Sequence, residues 1–156
     1  MTQGNAKHLL TFNLAEWFFG MPLEGVQEVQ RMVELASLPQ TPGGPRGVIN
    51  LRGETVPVWE LRAILGFSSL ELHPDQNIII TSLSRMAGGR QGWIVDQVHE
   101  VVDPSLGQPA PFHDVPVAEY LTGVIRMEGR LVLVLEIGRI LKRADELARA
   151  GKGRLL

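Results

Sequence analysis

The side chains that most often carry chemistry are present in this chain, but their spacing gives them little to react with. Histidines stand at His8, His73, His99 and His113, without the close spacings that gather metal ligands. Cysteine is absent, which removes thiolate nucleophiles and thiolate metal sites and fits a reducing compartment. Gly43-Gly-Pro-Arg-Gly47 is glycine-rich but lacks the following Gly-Lys-Ser/Thr of a phosphate-binding loop; it reads as the end of a connecting loop, 39–47. No GxGxxG, GxSxG or HExxH string occurs. Glu60 and Glu136 stand where helices are expected to start, and a carboxylate there is stabilised by the helix dipole. The expectation is therefore a non-catalytic protein with no cofactor and no metal. Two side chains point instead to recognition. Arg52 sits in a glycine-containing turn that does not need its charge, and Trp59 is an amphipathic aromatic on the strand that follows.

The elements that position those two residues are written twice. Residues 47–65, GVINLRGETVPVWELRAIL, return at 123–141 as GVIRMEGRLVLVLEIGRIL, with nine of nineteen positions identical. Upstream, GMPLEGVQEV at 20–29 is echoed by GWIVDQVHEV at 92–101, matching at Gly20/Gly92, Val26/Val98, Glu28/Glu100 and Val29/Val101. The offsets are 72 and 76 residues and the order is kept, so two copies of one module are expected, too few for a solenoid. Within each long stretch, β-branched runs flank Arg52-Gly53-Glu54 and Glu128-Gly129-Arg130, a hairpin signal whose glycine supplies positive φ. Further strands are expected at 8–14, 17–21, 26–32, 77–84, 91–95 and 97–102. The loops 67–76 and 103–116, Pro-rich or polar, are expected at the surface.

After each hairpin the period changes. Residues 60–66 make a short helical turn closed by Gly66. In the second copy, Ile137, Ile140, Leu141, Ala144, Leu147 and Ala148 form a helical apolar stripe over 137–150, with Gly151 as its stop. The last twenty residues carry six Lys/Arg against two acids, which suits a helix C-terminus. The fold expected is all-β with a C-terminal helix: two small packed barrels related by internal duplication, the first spanning 8–66 and the second 77–142.

Where the copies differ, the first looks more open. Leu131–Leu135 is apolar on both faces, so both are expected to be covered. Its counterpart carries Thr55, Pro57 and Trp59, and a proline places that strand at a sheet edge. Trp59 there is either a partner contact or packing against the other module. The turn tolerates both Arg52 and Glu128, so Arg52 is either free to meet a partner or held in a surface ion pair with Glu54 or Glu60. Among 156 residues, 44% are hydrophobic and 21% charged, with a formal net charge of −2. These values fit a globular chain with a buried core and no general pull toward nucleic acid or acidic membrane. Nine aromatics and lysine and arginine gathered near the C-terminus argue against a nucleic-acid groove. The first twenty residues carry one lysine, no continuous apolar core and no small-residue cleavage site, unlike a signal peptide. No apolar run approaches the roughly 20 residues that span a bilayer.

Gly47-Val-Ile-Asn-Leu-Arg-Gly53, Val56-Pro-Val and Leu61-Arg62 together resemble the signature of the CheW family of bacterial chemotaxis coupling proteins. Gly20, Val26-Gln-Glu-Val29 and Glu119-Tyr-Leu-Thr-Gly123 match it too, and the resemblance runs from His8 to Ala148 as one domain. It implies two five-stranded barrels packed around an apolar interface. It also implies a cytoplasmic, non-enzymatic adaptor that joins the helical tip of a methyl-accepting chemoreceptor to the regulatory domain of a CheA-type histidine kinase in membrane-associated arrays. Nucleic acid and direct membrane insertion play no part in that picture. By the same resemblance, Val26, Glu28, Val29, Gly92 and Val98 are receptor-binding candidates, and Asn50, Arg52, Gly53 and Trp59 are kinase-coupling candidates. Departures are Gln30 for the common arginine, Glu60 for aspartate, Arg90 and Gln91 for apolar residues, and Thr55 and Trp59 for aliphatics. An adaptor of another chemosensory pathway, such as pilus-based motility, and a generic peptide-binding scaffold are the alternatives.

Overall fold

Two hairpin turns with identical backbone shape anchor the architecture. Arg52 and Gly53 adopt φ of 50° and 87°, and Glu128 and Gly129 adopt 50° and 75°. Positive φ at both central residues is the two-residue turn whose twist matches that of its strands. It needs glycine at only one of the two positions, so the other carries arginine in one copy and glutamate in the other. In the first turn the Gly53 amide also donates to Asn50 Oδ1 at 2.9 Å.

The computed structural model describes residues 8–37, 43–82 and 89–154, with side chains described to residue 150. Its strands are β1 (Leu9–Leu14), β2 (Trp17–Pro22), β3 (Val26–Arg31), β4 (Gly47–Leu51), β5 (Glu54–Glu60), β6 (Asn77–Ser82), β7 (Arg90–Val95), β8 (Gln97–Val102), β9 (Gln108–Ala110), β10 (Leu121–Met127) and β11 (Arg130–Leu135). A short helix α1 (Leu61–Leu65) follows β5, and a long helix α2 (Ile137–Arg154) follows β11. The strand expected over 77–84 ends at Ser82; residues 83 and 84 lie outside the described residues, as do residues 39–42 of the expected loop.

Among the described residues, eleven strands form two sheets. One has six strands in the order β8-β1-β2-β11-β10-β9, and the other five in the order β3-β6-β7-β5-β4. The all-β class with a C-terminal helix holds, as two packed sheets in open order rather than closed barrels. The sheets do not coincide with the spans 8–66 and 77–142. Strands β1 and β2 sit among strands of the second span, and β6 and β7 among strands of the first. The cause is a pair of parallel contacts. In one, Leu133 and Val134 meet Phe19 and Gly20; in the other, Val58 meets Gly92 and Trp59 meets Trp93. Each copy thus lends its leading hairpin to the other's sheet, which makes the two sheet orders equivalent strand for strand from β8/β3 to β10/β4.

Burial follows this exchange. A central core packs Phe12, Leu14, Phe19, Met21, Leu133 and Leu135 of the six-stranded sheet against Ile79, Trp93 and Val95 of the other, with α1 and α2 closing it. Each sheet also keeps a smaller cluster on its other face: Ile49, Val56, Val58, Ile78, Ile80 and Ile94 in one, Leu9, Val132 and Val134 in the other. Strand β11 is covered on both faces, as its unbroken apolar run requires. The expectation for Pro57 is corrected. Strand β5 lies between β7 and β4, not at an edge. Val58 points its carbonyl toward the β4 side, where it accepts from the Arg46 amide, so alternation turns the Pro57 nitrogen toward β7. The β5–β7 pairing begins only at Val58, and the missing N–H falls just outside it.

Helix α2 buries Ile137, Ile140 and Ala144, with Leu141 half-buried. It continues through Gly151 to Arg154, so glycine is not its stop; an interior glycine costs a helix only about 1 kcal/mol. The loop 103–116 contains β9, which pairs with β10. In the other sheet the same place is taken by a lone bridge between Ala36 and Val48.

Candidate functional site

Strands β3 and β8 each form one edge of their sheet, and each carries a bulge at the same place in the repeat. Pairing with β6 slips between Val26 and Glu28, and pairing with β1 slips after Val98. Cross-strand partners share a face, so the registers decide where each candidate points. Val29 lies opposite Ile79 and Val101 opposite Leu10, both residues of the central core. Val26 and Val98 pack against that core directly. Val29 and Val101 stay 39% and 45% exposed beside them. The seam between the sheets is therefore lined with valine along both edge strands. The Val98 amide donates to Asn77 Oδ1 at 2.8 Å, tying β8 of one sheet to β6 of the other.

The other receptor candidates lie elsewhere. Glu28 stands opposite Ile80 and Gln30 opposite Ile78, and those isoleucines belong to the five-stranded sheet's own cluster. Glu28 thus faces away from the seam. Gly92 is inside that same cluster, where an added Cβ would meet Ile78 at 3.1 Å and Val58 at 3.2 Å. Its role is close packing of β7 against β5 and β6, and it offers no side chain to a partner.

Glu28 instead meets Arg52. The Arg52 guanidinium donates to the Glu28 carboxylate across the sheet, from the β4–β5 turn to the edge strand β3. Gln30 Nε2 donates to the other Glu28 oxygen at 3.3 Å, and Arg90 pairs with Glu54 at 3.0 Å on the adjoining strands. These contacts close the end of the five-stranded sheet, joining its first strand to its last. The hydrogen bonds from Arg52 and then Gln30 hold the Glu28 carboxyl below its ordinary value, and the same contact raises Arg52. Neither of the acids expected for Arg52, Glu54 or Glu60, is its partner. Glu60 is buried, accepting from Arg46 at 3.0 Å and from the Leu70 amide at 3.3 Å.

The kinase-coupling candidates divide as well. Asn50, Arg52 and Gly53 form the turn, all exposed. Trp59 is half-buried at the far end of β5, stacked on Trp93 at 6.2 Å between centroids, with its indole N–H donated to Gln91 Oε1 at 2.7 Å. It packs against the central core, one of the two readings left open for it.

The sequence reading missed a polar joint beside the seam. Arg62 of α1, 8% exposed, donates through Nε to Asp96 Oδ1 at 2.9 Å and through Nη2 to Oδ2 at 2.5 Å. Asp96, at the β7–β8 corner, also accepts from the Ala15 amide in the β1–β2 turn at 2.8 Å. One carboxylate therefore binds both sheets immediately before Val98. The available signal was that Arg62 has no charged twin, Gly138 standing in its place. Among the described residues, no group of three or more His, Asp or Glu is placed to hold a metal ion, and no helix is long and apolar enough to cross a membrane.

The site thus sits on a duplicated β module of two packed sheets with valine-lined edges and a clasped turn, and comparison with known proteins places the module. Residues 8–145 match the model of the CheW-like domain, and the chain belongs to that family of chemotaxis scaffold proteins. It is 32% identical over 146 residues to a chemotaxis protein CheW of Klebsiella aerogenes, covering 91% of this chain and 85% of that one. It is 29% identical over 144 residues to protein FrzA of Myxococcus xanthus, covering 88% and 86%. The crystal structure of the scaffolding protein TtCheW from Thermoanaerobacter tengcongensis superposes with a TM-score of 0.70 at 30% identity, covering 84% of this chain and 89% of that one.

Proposed function

We propose that this chain is a cytoplasmic, non-enzymatic adaptor that couples the helical tip of a chemoreceptor to the regulatory domain of a CheA-type histidine kinase. The observation that carries the reading is the Arg52–Glu28 clasp. It links the turn proposed to meet the kinase with the edge strand whose other face carries Val26 and Val29. The receptor tip, an amphipathic helical bundle, would lay apolar side chains along the seam at Val26, Val29, Val98 and Val101, a helix-in-groove mode of binding. A shift of β3 on receptor binding then reaches the Asn50–Gly53 turn through two charged side chains, and a coupling free energy between two sites needs no more than that. Membership of the CheW-like family supports the reading, as does the lack of any grouped catalytic residues in the sequence.

The test is reconstitution. Purified protein, a receptor-tip fragment and the kinase should form a ternary complex in which receptor state alters kinase output. No complex together with unchanged output would end the proposal. The match to FrzA, a relative not named for chemotaxis, favours one second reading: an adaptor of another chemosensory pathway, such as pilus-based motility. Pull-down from native lysate, followed by identification of the captured kinase, separates the two.

A further inference from the structure

The two sheets are equivalent strand for strand, so each side chain at the clasped end of one has a counterpart in the other. In the six-stranded sheet that end is open. Glu128 stands in the place of Arg52 and Glu100 in the place of Glu28, so no ion pair can form between them. Val102 replaces Gln30, removing the second donor. The Glu54–Arg90 pair becomes Arg130 and Phe18, and Arg130 lies over the Phe18 ring at 4.4 Å from its centroid. All of these residues line one cavity of about 230 Å³, floored by Met127 and Val132. The apolar floor belongs to the sheet's own small cluster of Leu9, Val132 and Val134, against which Phe18, Val102 and Met127 pack. Glu100 and Glu128 are exposed at its rim. Among the described residues, neither carboxylate takes part in an ion pair.

We infer that this cavity is a docking socket for an arginine presented by a partner protein. The same fold position in the other sheet already shows what fills it. There an arginine reaches from the turn to the edge-strand glutamate, and here the glutamate is kept while the arginine has been replaced by a second acid. An arginine is amphipathic: its methylene stem suits an apolar floor, and its planar fork can span two carboxylates. A second carboxylate at the turn makes the socket more selective for a cation than the clasp, since like charges facing one space favour the state that brings a positive group between them. Arg130 also lines the cavity and lies over the Phe18 ring, so two carboxylates face the space against one guanidinium. The socket lies apart from both the valine seam and the Arg52 turn, so its occupant is a contact beyond those already proposed.

The probe is a capped Ala-Ala-Arg-Ala-Ala peptide, titrated into the full isotope-labelled chain and followed by NMR. Peptides with citrulline or lysine in place of arginine are the controls. The expected result is a set of shifts confined to residues around Glu100, Met127, Glu128 and Phe18, at least about tenfold weaker binding by either control, and loss of the effect in Glu100→Gln/Glu128→Gln. Glu128→Arg should also abolish it, by supplying the arginine from the chain itself. Both glutamates are exposed, so the variants should melt within about 3 °C of the parent. Equal shifts with citrulline or lysine, shifts elsewhere on the molecule, or persistence in the double variant would overturn the proposal. Self-association that fills this cavity in the unliganded chain would overturn it as well. None of these outcomes bears on the receptor and kinase reconstitution, so the two proposals fail separately.

Discussion

The ends of the two sheets share one backbone and opposite chemistry. Both carry the same two-residue turn, the same bulged edge strand and the same glutamate on it. In the five-stranded sheet Arg52, Gln30, Glu54 and Arg90 close the end with hydrogen bonds and ion pairs. In the six-stranded sheet Glu128, Val102, Arg130 and Phe18 leave a cavity there. The contrast teaches where duplication grants freedom. Positions that set the sheets are repeated, because a changed valine or glycine would be felt in a close-packed core. The charges at the turn are not repeated, Arg52 giving way to Glu128 and Glu54 to Arg130, since the hairpin needs the glycine and not the charge beside it. The surface of one copy can then be self-satisfied while the other is left for a partner.

The equivalence of the two cores can be broken most severely at Trp93 and its counterpart Met21, both fully buried. Trp93→Ala should lose about 3–5 kcal/mol and Met21→Ala about 2–5 kcal/mol in chemical denaturation. A loss under about 1 kcal/mol at either would show that one sheet does not share the central core. Gly20→Val and Gly92→Val form a gentler pair. An added Cβ meets Val132 at 3.0 Å in the first case and Ile78 at 3.1 Å in the second. Each should be destabilised by about 1–3 kcal/mol, and by similar amounts; tolerance at one site alone would contradict the strand-for-strand match.

The differing ends call for smaller effects. Arg52→Gln should leave the melting temperature within about 3 °C while raising the Glu28 carboxyl toward its ordinary value, read by NMR titration. The sign follows from linkage. Glu28 is held below its unfolded value, so the contribution of the clasp is present above that value and is lost as pH falls through the lowered one. An unshifted Glu28 titration in Arg52→Gln would mean that the clasp does not form in solution.

Much of this was legible in the sequence because it was written twice. The hairpins, the glycines at 53 and 129, the burial of β11 on both faces and the stripe on α2 follow from period and turn chemistry. The exchange of leading hairpins was not legible, since parallel pairing of β5 with β7 leaves no local mark and a repeat reads the same whichever sheet its strands enter. A missing donor at Pro57 points to an edge strand in the sequence alone, and only the start of the β5–β7 pairing at Val58 shows that an interior strand can hold it. The site was read in part. Val26, Val29 and Val98 share the seam. Glu28 and Arg52, assigned to different partners, proved to be partners of each other: 24 residues apart in sequence, they meet only because the sheet curls its two edges together. Gly92 and Trp59 turned inward, and neither burial could be inferred from residue type alone. The role of Asp96 leaves no local mark in the sequence, because its partners Arg62 and Ala15 lie 34 and 81 residues away on two other elements.

The account stands or falls on whether Arg52 and Glu28 act as one unit in coupling. The direct measurement is kinase output in the reconstituted complex, with and without receptor fragment, for Arg52→Glu, Glu28→Arg and the combined swap. The account predicts that each single reversal abolishes the receptor's effect on the kinase and that the swap restores a substantial part of it. A swap as inactive as the single variants, with all three chains folded, would contradict it.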